Sequence, residues 1–251
     1  MKDILQRFSL QGKKALIVCP ENPYGNQIAE GLRAAGAEIW LAGEIQTDIP
    51  AEGSFFYEHG SRESAVALAA AVREKMGRLD ILVENGLCTK TVGWEQSYGQ
   101  ISEELRKTHL GMMLTVQQLG EVMAEKGSGS VILVTDYGAL VGYDLQNYTG
   151  CPEVSGRDFS FVKGFIKGAA VNYARQASNY LAENGCRCNA VAFGPMQGED
   201  AEFEKAFVRH SQVKRLATAE DIAGTVVFLA SDASAFITGI TLPVDGGYTA
   251  K

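Results

Sequence analysis

Gly77-Arg78-Leu79-Asp80-Ile81-Leu82-Val83-Glu84 sets a short apolar run, residues 81–84, directly behind a longer segment, residues 63–76, with a helical pattern. A run that short, bounded by glycine and charge, reads as a buried strand. The same alternation extends in both directions. Residues 15–19, 38–42, 131–135, 186–192 and 241–243 read as further strands, and residues 102–126, 159–184 and 219–231 as further helices. Near the start, Ile28, Leu32 and Ala35 recur at helical spacing before Gly36, which stands where a helix C-cap glycine belongs. Strands alternating with helices imply parallel βαβ units.

A chain of 251 residues with 46% hydrophobic content is expected to form one domain with a sizeable core. Its 23 basic against 30 acidic side chains leave a net charge of −7, which argues against nucleic acid or an anionic membrane as partner. The longest apolar runs, residues 65–72 and 225–230, fall well short of the roughly 18 residues a membrane helix needs. Residues 1–7 carry Lys2, Asp3 and Arg7 around Ile4 and Leu5, without the apolar centre of a signal peptide, so a cytoplasmic protein is expected.

Five scattered cysteines, Cys19, Cys88, Cys151, Cys186 and Cys188, suggest neither a disulfide framework nor a metal site. Cys186 and Cys188 read as small apolar fillers of a sheet face. Residues 142–158, rich in Gly, Asn, Asp and Tyr without a clear period, read as a loop, with a lid or partner-binding segment as the functional alternative.

Three groups of residues carry a resemblance over residues 10–247: Gly77 to Val83, Asn189-Ala190-Val191-Ala192, and the tail Glu220-Asp221-Ile222-Ala223-Gly224, Phe228-Leu229-Ala230-Ser231-Asp232, Asp245-Gly246-Gly247. In these the chain resembles the short-chain dehydrogenase/reductase family. The resemblance implies a single Rossmann-like domain over residues 1–251, built on a doubly wound parallel sheet, and hydride transfer with a nicotinamide cofactor.

In the family, glycines of a T-G-x-x-x-G-x-G turn let backbone N–H groups approach the cofactor diphosphate. Here Val18-Cys19-Pro20-Glu21-Asn22-Pro23-Tyr24-Gly25 fills that stretch, with Cys19 and Pro23 at glycine positions and only Gly25 kept. Two prolines have no N–H to donate, and Glu21 adds negative charge. The loop is expected only to start a helix, with Asn22 as cap and Pro23 first in the helix. Glu44 stands where the family often has a ribose-binding acid, Glu58 near its adenine-contacting Asp, and Glu84-Asn85-Gly86-Leu87 where it has N-N-A-G. Cys19, Pro23, Gly25, Glu58 and Asn85 are thus vestiges of a cofactor site, and the expectation is that this chain binds no cofactor.

The family's proton-transfer set is Tyr, Lys, Ser and Asn. Matching its motifs puts Lys167 on the Lys, Lys163 on the Tyr, Asp136 on the Ser, Thr108 on the Asn, and Gly198 on a Thr that helps hold the nicotinamide. Losing a positioned acid/base typically costs about 10²- to 10⁴-fold in rate. Tyr148, 12 residues after Asp136, is the rescue candidate, but Pro152 stands where its lysine would be. Lys163 and Lys167 share a helix face, so either Asp136 lies between them as an ion pair or their proximity makes one a reactive amine.

The resemblance therefore points to a non-catalytic subunit in a hetero-oligomer, expected to be a tetramer, whose related catalytic subunit holds NAD. Its substrate would be a hydroxyacyl-CoA such as hydroxybenzylsuccinyl-CoA. Two alternatives stand beside it: an active oxidoreductase rebuilt around Tyr148 and Lys167, and a small-molecule sensor using the old cleft.

Overall fold

The computed structural model describes residues 3–89, 93–151 and 160–250. The strands are β1 (Lys14–Val18), β2 (Glu38–Gly43), β3 (Gly53–Phe56), β4 (Ile81–Glu84), β5 (Gly129–Asp136), β6 (Cys186–Phe193) and β7 (Thr241–Val244). Between them lie α1 (Gly25–Ala34), α2 (Arg62–Ala71), α3 (Tyr98–Leu105), α4 (Gly111–Ala124), α5 (Lys163–Ala182), α6 (Ala201–His210) and α7 (Ala219–Ala230). The strands form one sheet in the order β3-β2-β1-β4-β5-β6-β7, every pair parallel.

Alternation along each strand builds two cores. Leu16, Val18, Val131 and Leu133 join the cluster that includes Leu68 of α2, Leu119 of α4 and Ile166 of α5. Ala15, Ile17, Ile132 and Val134 point the other way, to Ile28 and Leu32 of α1 and Val226 and Leu229 of α7. Strands covered on both faces are continuous apolar runs, which is why they stood out in the sequence. Each fully buried Leu, Ile or Val contributes about 1.5–3 kcal/mol by leaving water.

Two elements were missed. β3 reads Gly-Ser-Phe-Phe, too short and too little β-branched to signal itself, and it is placed by Phe55 stacking on Trp40 at 5.5 Å. α6 is set by Asp200, whose side chain accepts from the N–H groups of Glu202 and Phe203. The segment expected as one helix over 102–126 starts earlier, at a capping box between Ser97 and Gln100, and is interrupted by a π turn, Arg106–Leu110. The helix expected from residue 159 begins at Lys163; residue 159, like Pro152, lies outside the described residues.

Cys186 and Cys188 are buried on β6. No described helix is long and apolar enough to cross a membrane. The sheet reverses direction of growth between β1 and β4, and such switch points open a crevice beyond the strands' carboxyl ends. The loops after β1, β4, β5 and β6 converge there.

Candidate functional site

The loop leaving β1 is shaped by backbone strain and one amide. Cys19 and Tyr24 both adopt left-handed backbone, φ 53° and 73°, an unusual conformation for residues with a Cβ. Asn85, just past β4, holds it: its Nδ2 donates to the carbonyls of Cys19 at 3.2 Å, Asn22 at 3.4 Å and Pro23 at 3.0 Å. In return Asn22 Nδ2 donates to the Asn85 carbonyl at 2.9 Å. The helix start expected at Asn22 and Pro23 is therefore corrected. Left-handed Tyr24 cannot continue a helix, so α1 begins at Gly25 without a side-chain cap. Gly25 is required, because a Cβ there would lie 2.0 Å from the Pro20 carbonyl oxygen.

Tyr24 reaches across the crevice. Its ring sits 5.0 Å from that of Phe193, and its hydroxyl donates to the Gly194 carbonyl at 3.2 Å. Burial, followed by Asp136 and Glu199, raises its phenol well above the usual range, so it stays neutral.

At the end of β2 a cleft of about 420 Å³ opens between Pro20, Gly43, Glu44, Asp48 and Phe55. Glu44 pairs with Lys107 at 3.6 Å and Glu58 with Arg106 at 3.7 Å. The residues fit the adenosine end of a dinucleotide here, because Glu44 can accept from ribose hydroxyls. They do not offer the family's diphosphate cradle: Pro20 and Pro23 lack N–H groups, while those of Asn22 and Gly25 donate to the carbonyls of Cys19 and Asn22.

One buried pair had no signal in the sequence. His59 Nε2 lies 3.0 Å from Glu84 Oε1, and its Nδ1 donates to the Lys107 carbonyl inside the π turn. Both side chains are buried, and Glu84 Oε2 has no hydrogen-bond partner. Burial alone would lower the His59 pKa, but the Glu84 carboxylate and the two hydrogen bonds outweigh it and raise the value above normal. Gly111 makes room for the ring, since a Cβ there would lie 2.2 Å from His59 Nδ1. The pair ties β4 to the turn that carries Thr108, whose hydroxyl donates to Glu104 of its own helix at 2.6 Å.

The catalytic end centres on Asp136, the last residue of β5. It accepts from Tyr143 at 2.5 Å and from the Gly138 N–H at 2.9 Å, and pairs with Lys167 at 3.3 Å. Lys163 lies over the Tyr143 ring, 4.8 Å from its centre. The structure thus joins Asp136, Lys163 and Lys167 as expected, but the phenol beside them is Tyr143, not Tyr148. The rescue candidate instead packs its ring 4.9 Å from Phe203, and burial pushes its phenol up to about 12. Tyr143 escaped notice because it is 20 residues before Lys163, outside the Tyr-x-x-x-Lys spacing.

Beyond Asp136 the space is packed with rings. Tyr137, Phe203, Phe207 and Tyr248 form one cluster, with Phe207 stacked on Tyr248 at 4.2 Å, and Tyr143 and Tyr148 pack against it. A cavity of about 250 Å³ opens beside these rings, lined among others by Gly194, Phe207, Leu216 and Gly246. Of the loop expected over 142–158, residues 142–151 are described, and they pack on α6 through Tyr148; residues 152–158 lie outside the described residues.

A family model described as enoyl-(acyl carrier protein) reductase matches residues 21–249. This chain belongs to the short-chain dehydrogenase/reductase family. Among curated short-chain dehydrogenases, the 7alpha-hydroxysteroid dehydrogenase of Clostridium sardiniense is 26% identical over 95% of this chain and 94% of its own length. Two solved structures share the fold. A gluconate 5-dehydrogenase from Burkholderia cenocepacia, in complex with NADP and tartrate, matches with a TM-score of 0.82 and 22% identity over 99% of this chain and 100% of that one. A short chain dehydrogenase from Leptospira borgpetersenii with bound NAD+ matches with a TM-score of 0.85 and 20% identity over 99% and 96%.

These matches correct the expectation that the chain binds no cofactor. The fold it shares holds NADP in one protein and NAD+ in the other, each matched along 99% of this chain. The diphosphate loop is only one part of such a site, so its changed glycines were not grounds to exclude a dinucleotide.

Proposed function

We propose that this chain is a short-chain dehydrogenase subunit that takes a nicotinamide dinucleotide in the cleft its relatives use, does not carry out hydride transfer itself, and assembles with a related, catalytically competent subunit. The observation that carries this reading is the state of Asp136. At the position where the family places a substrate-binding hydroxyl, this carboxylate is engaged by Tyr143, Gly138 and Lys167. Four residues before Lys167 stands Lys163 in place of a phenol. No described residue supplies the tyrosine that gives and takes the proton in the family's reaction.

Assembly into a hetero-oligomer, with a tetramer as the expected form, is supported by two apolar surfaces. Leu110, Met113, Phe165 and Tyr180 are exposed along the turn before α4 and along α4 and α5, and β7 is an edge strand beside exposed Phe236 and Ile240. Solvent-facing apolar patches of this kind favour burial against another chain. At the adenosine end, Glu44 would hold the ribose. The bound group would supply a hydride acceptor. No described residue of the cleft singles out a hydroxyacyl-CoA, so the partner's substrate is proposed only as an alcohol or its ketone.

A second reading, an oxidoreductase rebuilt in this chain, is favoured only by the Tyr143, Asp136 and Lys167 contact. Burial and then the Asp136 charge raise the Tyr143 phenol far above the usual range, which keeps it protonated and makes it a poor proton donor. The test is turnover by the purified chain with NAD+ or NADP+ and a panel of secondary alcohols. Turnover that disappears in Tyr143→Phe would favour the rebuilt enzyme. A chain that binds dinucleotide and shows no turnover supports the subunit.

A further inference from the structure

The cluster around Asp136 does more than replace a lost site. We infer that Lys163 is a reactive amine that captures a small aldehyde or ketone as a protonated imine, with Lys167 and Asp136 managing the protons.

Three features of the geometry favour this. First, the Lys163 amine rests on the Tyr143 ring, 4.8 Å from its centre, at the start of α5. An aromatic face holds the side chain in place and stabilises the cationic nitrogen of an iminium as it does an ammonium. Second, Lys167 lies one helical turn further along α5 on the same face, paired with Asp136 at 3.3 Å. Two lysines beside one carboxylate give a nucleophile, a proton source and a proton carrier close together. Third, Lys163 is partly buried, whereas Lys205, for example, is exposed on α6.

The groups facing Lys163 come from every element around it. Asp136 ends β5, Lys167 is on α5, Cys88 follows β4 and Glu199 follows β6. Burial lowers its pKa, Asp136 opposes that, and Lys167 adds to it, with a net lowering. Each unit of lowering gives about tenfold more neutral amine at neutral pH. Burial raises the Glu199 pKa, and the Lys163 charge opposes that.

The step balances without an oxidant or reductant. The Lys163 nitrogen lone pair forms a bond to the carbonyl carbon, and the carbonyl oxygen takes a proton from the Lys167 ammonium. The nitrogen gives one proton to Asp136, which returns it to Lys167. The carbinolamine hydroxyl then takes the Lys167 proton and leaves as water, and a carbon–nitrogen double bond forms. The products are a protonated imine, one water and a Lys167 amine that regains its proton from solvent. The aromatic packing around Tyr143 restricts the site to small carbonyl compounds. This chemistry does not depend on whether the chain assembles with a partner.

The experiment is reductive trapping. The full chain is incubated at pH 7 with acetaldehyde and sodium cyanoborohydride, and the rate of alkylation at each lysine is read by peptide mass mapping. Lys163 is expected to label faster than Lys205, because its pKa is lowered by burial while that of Lys205 is raised by Glu202. In Lys163→Arg, which keeps a cation and has no amine nucleophile, the fast-labelling site should vanish while the melting temperature stays close to that of the parent. Labelling of Lys163 no faster than Lys205, or a fast site that survives Lys163→Arg, overturns the proposal.

Discussion

The Tyr143 hydroxyl donates to Asp136 at 2.5 Å, and Asp136 in turn holds Lys167 at 3.3 Å, so one carboxylate joins the loop after β5 to helix α5. A hydrogen bond to a charged, partly buried group contributes more than a neutral one. Tyr143→Phe is therefore expected to lower the unfolding free energy by about 1.5–3 kcal/mol, read from urea denaturation. Unchanged stability would mean the bond is not made in solution.

Asn85 carries the loop after β1. Its amide donates to three carbonyls, and Asn85→Ala leaves them without that donor next to the strained Cys19 and Tyr24. The expected cost is about 1–3 kcal/mol, together with faster amide exchange over residues 19–25 than elsewhere in the sheet. Exchange that rises evenly across the whole chain would argue against a local clamp.

The His59 and Glu84 pair gives stability a pH dependence of definite sign. The folded-state pKa of His59 lies above its unfolded value of about 6.5, so its contribution is fully present below that pH and is lost as pH rises through the folded pKa. Unfolding free energy measured from pH 6 upward should decline in that window. In Glu84→Gln, where burial is left to lower the His59 pKa, the decline should disappear. A parent chain whose stability climbs with pH over that range would contradict the pair.

How far the sequence could lead is visible in these same residues. β1, β4, β5 and β6 were legible because strands buried on both faces must be continuously apolar, and Gly36 was legible as a helix terminator because its φ of 102° suits glycine. β3 was not, since its Gly-Ser-Phe-Phe run is too short to signal itself and its placement rests on pairing with β2, where Phe55 meets Trp40. Lys163, Lys167 and Asp136 were legible as neighbours through the family's motif spacing. Tyr143 and His59 were not, because their partners lie 7 and 25 residues away across turns whose path no local pattern specifies. The cofactor expectation failed for a related reason: it weighed one loop, Cys19 to Gly25, and not the whole cleft.

Cofactor preference follows from the acids at the end of β2. Glu44 and Asp48 border the cleft where a ribose would sit, and their charge repels a 2′-phosphate. NAD+ should bind at least about tenfold more tightly than NADP+, a difference of about 1.4 kcal/mol, and Glu44→Ser should narrow that ratio. Equal affinities in isothermal titration would remove Glu44 from the binding site.

The most direct measurement is native mass spectrometry of the chain co-expressed with a related, active short-chain dehydrogenase, followed by turnover assays of the isolated species. The account predicts a mixed tetramer containing both chains, active with a dinucleotide, whose turnover survives Lys167→Ala in this chain. A homotetramer of this chain alone that oxidises an alcohol, and loses that activity in Lys167→Ala, would contradict it.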